Sequence, residues 1–448
     1  MEICHLEQNK KFMNIKPTCV IVGPVQTRSG YGDHSRDLAL SIIKSEKYDV
    51  KIVSTRWGST PMTALDSDTE ENKLLKDRFL KENLTKKPEL FIQISIPNEF
   101  QPQGKFNIGI TAGIESTLCR AEWIEGLNRM DLNIVPSNHA KEVFLRSKYK
   151  KKEKNGFETS VELEKPVEVL FEGSDLSIYG SHHLIKQTVN SILNEIPEDF
   201  CYLFVGHWLQ GDLGADRKDV GMLVKIFSET FKNKKTAPAL ILKTSGASFS
   251  EVDKDNILQK IKKTQDSISG ETPNVYLIHG DLEPDEVNSL YNHNKVKAHV
   301  SFTHGEGYGR PLQEASLSGK PVIASNWSGH VDFLDDELAV MLPGKLENVH
   351  KSAVNDWLIK DSKWFVVNYS AAAQKFEDVY KNYDTYLEKA KKLAKRNETQ
   401  FSREKMDSDF IKLLDAKVPE FSVESQVKLP KLKKLGENQI KLPKLKKK

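Results

Sequence analysis

Cysteine is scarce. Four in 448 residues (Cys4, Cys19, Cys119, Cys201) are too few and too scattered for a disulfide framework or a zinc site, so a reducing compartment is expected. No apolar run approaches the ~18 residues that would suggest a membrane-spanning helix. The first twenty residues lack the apolar stretch of a signal peptide, which makes a cytoplasmic location the expectation. Gly and Pro, at 25 and 18, are too few for a collagenous or wholly disordered chain. Net charge is also small, at +3. It is unevenly spread, because residues 426–448 hold nine Lys against one Glu and leave an acidic body.

What remains is globular, and a length of 448 residues suggests two to four domains at ~100–200 residues each. Short apolar strands at 18–22, 50–53, 90–96, 107–111, 132–135 and 167–171 alternate with helical patterns at 36–44, 70–82, 119–128 and 139–148. The plan repeats with strands at 202–205, 239–242, 275–278, 298–302 and 322–324 and helices at 220–231, 255–264, 283–292 and 311–317. Alternation of this kind means parallel sheets, here two doubly wound α/β domains facing across a crevice. Expected boundaries are 1–178 for the first domain, 179–365 for the second, 366–417 for C-terminal helices and 418–448 for a basic tail. Within the tail, QVKLPKLKK at 426–434 returns as QIKLPKLKK at 439–447. Pro430 and Pro443 oppose a continuous helix, so a disordered arm is expected. Its partner would be an anionic membrane surface or nucleic acid.

The densest chemistry lies in AHVSFTHGEGYGRPLQEASLSGKPVIASNWSGHVDFL, residues 298–334. A strand leads into a loop with Gly305, Gly307 and Gly309, and Pro311 suits the first turn of the helix that follows. Such a unit points helix-start amides at the carboxyl edge of a sheet, where phosphate binds. Glu306 and Glu314, with seven residues between them, flank the turn, and a carboxylate accepts hydrogen bonds from the adjacent hydroxyls of a ribose or hexose.

This segment resembles the Glu-x7-Glu signature of the retaining nucleotide-sugar glycosyltransferases of family 4, which have the GT-B fold. The resemblance implies that Glu306 lies by the donor sugar and that Glu314 binds the nucleotide ribose. Gly305, Gly307, Tyr308 and Gly309 would then line the donor site. Phe204-Val-Gly206 and Asp216-Arg-Lys-Asp-Val-Gly221 resemble the family segment whose Arg and Lys hold the donor pyrophosphate. Lys218 matches the Lys. His207 stands where Arg is usual, with the insertion LQGDLGAD between them, so either Arg217 replaces the missing cation or Lys218 acts alone. The loop GPVQTRSGYG, with Gly30 and Gly32, resembles the family's N-terminal glycine loop near donor phosphate and acceptor. Glu172-Gly-Ser-Asp175 resembles its turn between domains.

The family's sugar-facing His is missing from residues 110–116. Glu115 is placed there instead as an acceptor or sugar contact, with His304 the best of the histidine candidates over His34, His139 and His330. GPVQTRSGYG and AEWIEGLNRMDLNIVPSNHA are also similar to glycosyltransferases of large-virus and bacteriophage genomes, which would put the protein in a host cytoplasm.

The resemblance implies transfer of a sugar from a UDP- or GDP-linked donor to an unidentified acceptor (polysaccharide, protein or DNA base) with retention of configuration. No further cofactor and no metal are expected. Asp66-Ser-Asp68 lacks the preceding strand of a metal-binding pair, and fixed cations can stabilise a leaving diphosphate. A nucleotide-sugar 2-epimerase of the same fold and a non-catalytic nucleotide-sugar-binding module are the alternatives.

Overall fold

The computed structural model describes residues 16–421 except 83, 153–157 and 247, so the repeat at 426–447 lies outside the described residues. In the first half β1 (Thr18–Gly23), α1 (Gly30–Ser45), β2 (Asp49–Ser54), α2 (Glu70–Lys76), β3 (Leu90–Ile94), β4 (Phe106–Ile110), α3 (Ala121–Asn128), β5 (Leu132–Val135) and α4 (Asn138–Arg146) follow in order. An antiparallel hairpin, β6 (Tyr149–Lys152) with β7 (Glu158–Val161), then leads to β8 (Val167–Val169). The resulting sheet has six parallel strands in the order β2-β1-β3-β4-β5-β8.

The second half contributes α5 (Gln187–Asn194), β9 (Cys201–His207), α6 (Val220–Phe231), β10 (Ala239–Ser245), α7 (Glu251–Asp266), β11 (Val275–Ile278), α8 (Pro284–Asn292), β12 (Val296–Ser301), α9 (Arg310–Ser316), β13 (Val322–Ser325) and β14 (Val340–Leu342). Its six parallel strands are ordered β11-β10-β9-β12-β13-β14. A hairpin, β15 (Gly344–Asn348) with β16 (Lys363–Val367), precedes three closing helices, α10 (Tyr369–Lys381), α11 (Tyr383–Gln400) and α12 (Arg403–Lys417).

Both sheets reverse their winding beside the first strand of their half, between β1 and β3 and between β9 and β12. The connections leaving neighbouring strands there part to opposite faces, which opens a crevice at the carboxyl ends.

Two local departures from the sequence pattern have clear causes. The charged helix expected to run to residue 82 ends at Lys76, because the chain then lies along β2. Ile52 N–H donates to the Arg78 carbonyl at 2.8 Å and Leu80 N–H donates to Ile52 at 2.9 Å. The helix expected from residue 36 instead starts at Gly30, with Ser29 Oγ accepting from Gly32 N–H at 3.1 Å as its cap.

The last helices divide between the halves. α10 packs on α6 and α11 on α9, whereas α12 returns to α1. Met406, Phe410 and Leu414 are buried in one cluster with Leu38, Ile42 and Ile52 of the first half. Burying a side chain of this kind contributes ~1.5–3 kcal/mol. The chain therefore crosses between the halves twice, and the crossings touch. Ser174 N–H donates to the Phe401 carbonyl at 3.1 Å, and Arg403 N–H donates to the Ser174 carbonyl at 2.8 Å.

Candidate active site

β9 and β12 are adjacent strands, so the loops that leave their carboxyl ends are adjacent too. This adjacency brings together residues almost ninety positions apart. Lys218 Nζ donates to Glu306 Oε1, and the Arg217 guanidinium lies 3.5 Å from Glu306 Oε2 and 3.4 Å from Glu115 Oε1 of the first half. Arg217 also donates to the Gly305 carbonyl at 3.2 Å.

The loops are held firmly. Asp216 Oδ1 accepts from Val220 N–H at 3.1 Å, Asp219 takes a left-handed φ of 52° and accepts from Tyr369 Oη at 2.7 Å, and Ser328 Oγ accepts from Glu306 N–H at 2.9 Å. Burial alone would raise the Glu306 carboxyl. The Lys218 and Arg217 charges reverse that and hold it at about 2, so Glu306 is ionised at neutral pH.

The glycines of the 305–309 loop have a packing purpose. A Cβ on Gly305 would overlap the Glu115 carbonyl oxygen, and one on Gly307 would overlap the Ala112 carbonyl oxygen. Backbone from the second half thus rests directly on backbone from the first, and Ser137 Oγ donates to the Gly307 carbonyl at 2.6 Å. Gly309, at φ 101°, needs the left-handed conformation to start α9. Gly32 likewise has no room for a side chain against the Thr27 carbonyl.

Across the opening, Arg28 of the first half reaches Asp281 and Glu283 of the second, each at 3.0 Å. Between these two closures lies a cavity of about 500 Å³, to which Gly30, His207, Arg217, Glu306, Tyr308 and Arg310 contribute walls. His207 Nδ1 lies 3.2 Å from Ser245 Oγ. Burial and the neighbouring Lys218 and Arg217 lower its pKa, so it is a neutral hydrogen-bonding group there. The Tyr308 hydroxyl and His34 Nδ1 are buried without a hydrogen-bond partner.

Two candidates stand elsewhere. His304 is fully buried and does not face the cavity. Its ring stacks on Trp364 at 4.2 Å, and its nitrogens meet the carbonyls of Phe365 at 2.7 Å and Gly214 at 3.3 Å, which makes it a brace for the loop. The sugar-contact reading of His304 is therefore corrected, because no ring nitrogen is left for a ligand. Glu314 lies behind Arg310, with Arg310 Nε donating at 3.3 Å and the Tyr179 hydroxyl as a further partner. His139 and His330 also spend ring nitrogens on backbone carbonyls, those of Ile114 at 3.1 Å and Ser325 at 2.6 Å. Asp68 pairs with Lys73 at 3.2 Å on the surface. Among the described residues no group of three or more His, Cys, Asp or Glu is set to hold a metal ion, and no helix is long and apolar enough to cross a membrane.

The sequence reading missed Arg310. It pairs with Asp37 at 3.0 Å, Glu172 at 3.8 Å and Glu314, gathering carboxylates from both halves around one cation. Its four-residue spacing to Glu314 is a helix ion-pair signal that could have found it.

Burial raises both Glu172 and Glu314 to about 7 despite Arg310. A carboxyl raised in the folded state favours folding below its ordinary value and loses that contribution as pH rises through 7. Glu172→Gln, which mimics the protonated form, should therefore raise Tm at pH 8 by more than at pH 5. Thermal melts at the two pH values check this, and an equal shift at both would contradict it.

No protein-family model matches the chain, and no curated protein sequence does. Solved structures do resemble it. Sucrose-phosphate synthase from Thermosynechococcus elongatus superposes with a TM-score of 0.58 at 13% identity, over 90% of this chain and 99% of that one. A glycosyltransferase from Rickettsia africae gives 0.57 at 13% identity, over 91% and 100%. HepE of Anabaena, in complex with UDP-glucose, gives 0.55 at 11% identity, over 89% and 100%. Identity this low speaks to the fold alone, and the fold is of GT-B type: two Rossmann-like domains, each built on a six-stranded parallel sheet.

Proposed function

We propose that this chain is a retaining glycosyltransferase that takes a sugar from a UDP- or GDP-linked donor. The observation that carries the reading is the convergence of Arg217 and Lys218 on an ionised Glu306 at the wall of the interdomain cavity. Two cations fixed beside a closed crevice stabilise a diphosphate as its bond to the sugar breaks, and they need no rearrangement to do so. Glu306 neutralises them until the donor arrives. It then sits beside the sugar, where a carboxylate favours positive charge at the anomeric carbon.

His207, neutral, can hydrogen-bond a phosphate oxygen in place of the usual Arg. Glu115 is the first domain's contribution, on the acceptor side of Arg217. Closure across Gly305 and Gly307 keeps out the water that would hydrolyse the donor. The donor phosphate would accept the proton of the acceptor hydroxyl as the new bond forms. Glu314 would reach a ribose by way of Arg310, whose guanidinium stands between it and the cavity.

Incubation with UDP- and GDP-linked sugars should release nucleotide slowly without acceptor and faster with one, and the product's anomeric proton coupling should match the donor's. Release from none of them, or a new nucleotide sugar formed without acceptor, would overturn the reading; the second result would mark an epimerase. Because Arg217 and Lys218 supply the charge, nucleotide release should survive EDTA. Loss restored by Mg²⁺ would refute metal independence.

We also assign the 426–448 segment to an anionic surface, in the cytoplasm or at its membranes. Leu residues among the lysines favour a lipid surface over a phosphate backbone. Deleting it should abolish salt-sensitive binding to phosphatidylserine vesicles and leave nucleotide release unchanged. Equal vesicle binding by the two forms would remove the assignment.

A further inference from the structure

The LQGDLGAD insertion is unaccounted for by the donor site. With the residues beside it, it builds one wall of a second hollow, a groove of about 740 Å³ on the second domain. α7 and the stretch between β15 and β16 form the other walls. The insertion is well anchored: Asp212 N–H donates to Ser352 Oγ at 3.0 Å, and Trp208 N–H donates to the Ser245 carbonyl at 2.9 Å. Arg217 lines both this groove and the donor cavity, and Gly246 in the groove adjoins Ser245 in the cavity. The two hollows meet at the cations.

The lining has a particular chemistry. Trp357 is 47% exposed, and Lys260 Nζ lies 5.2 Å over the ring of the buried Trp208. The amides of Gln210, Asn256 and Gln259 line the same groove, and among the described residues none of the three has a side-chain hydrogen-bond partner. Asn355 Oδ1 accepts from the backbone N–H groups of Trp357 at 2.9 Å and Leu358 at 2.8 Å, which holds the turn that carries the exposed indole. A lipid tail would want continuous apolar walls. Nucleic acid would want a row of cations, but the groove has only Lys260, Lys263 and the shared Arg217, and Lys260 is already over an indole. The exposed Trp357 indole combined with three amides suits a sugar chain, whose rings offer C–H faces and hydroxyl edges.

We propose that this groove holds the sugar chain of the acceptor, behind the end that meets the donor, so that the enzyme extends oligosaccharides. This rests on the glycosyltransferase reading. The test applies the full-length protein and its Trp357→Ala and Asn256→Ala/Gln259→Ala variants to a printed array of defined microbial glycans. Donor hydrolysis without acceptor is measured alongside. Oligosaccharides should bind where their monosaccharides do not, and each variant should weaken that binding about tenfold or more, with hydrolysis at the wild-type rate.

No glycan bound, or equal binding by the variants, overturns the groove. So does a parallel fall in hydrolysis, which would place these residues on the donor. Duplex or single-stranded DNA held by the wild type and lost in both groove variants also overturns it, since the basic 426–448 segment is the same in all three proteins. Absence of donor hydrolysis in the wild type, with chain binding intact, would instead strike the transferase reading.

Discussion

Lys218→Met should lower turnover by ~10²–10³-fold at saturating donor, the scale lost when one fixed group facing developing charge is removed. It should also cost ~3 kcal/mol of stability, because Glu306 would stay buried with only Arg217 beside it. Urea unfolding and steady-state nucleotide release check the two parts separately. The pH dependence carries further information. In the wild type a carboxyl held at about 2 contributes stability above the ordinary carboxylate range and loses it only as pH falls towards 2. Without Lys218, burial raises that value and the loss begins at higher pH. Lys218→Met combined with Glu306→Leu should recover most of the stability and none of the turnover, since a buried ion pair is often no better than a packed apolar pair. A double variant that regains activity would show that the pair holds the loops without touching the chemistry.

Gly307→Ala should be almost as damaging through geometry alone. One methyl group would meet the Ala112 carbonyl oxygen, a backbone atom that cannot swing aside. The two domains would have to part there, moving Glu306 away from whatever the first domain presents. A displacement of ~1 Å at reacting groups can cost ~10²-fold. Each domain's own core is untouched, so thermal stability should fall little while turnover falls greatly. X-ray scattering should report a larger radius of gyration than the wild type's. Unchanged turnover would mean that the closed contact is not the working state.

These expectations show where the sequence was legible and where it was not. Alternating strands and helices announced two parallel sheets, because strands buried on both faces read as short apolar runs such as Ala298–Phe302. The Glu306 loop was legible through its glycines, although their purpose was not. Seen alone, Gly305 and Gly307 suggest room for a ligand. The structure shows room for another stretch of backbone, and a partner nearly two hundred residues away leaves no mark on local spacing. His304 misled for the same reason, since its neighbours Trp364 and Phe365 arrive from a distant hairpin. Arg310 was overlooked because its partners Asp37 and Glu172 belong to the other domain. Strands β6, β7 and β15 escaped notice because they are largely exposed and lack the buried-strand pattern.

The return of α12 to the first domain also bears on how the molecule is made. The first sheet leaves the ribosome before the second, but its apolar flank around Leu38 and Ile42 waits for Met406, Phe410 and Leu414, which are synthesised only after the whole second sheet. One ion pair sealing that flank, Lys47 with Asp415, joins residues 368 positions apart. While the second sheet is being made the nascent chain therefore carries an uncovered greasy stripe, the kind of surface on which holding chaperones act and aggregates start. A messenger truncated just before the last helix would yield a protein with both sheets complete and its oldest domain still unfinished.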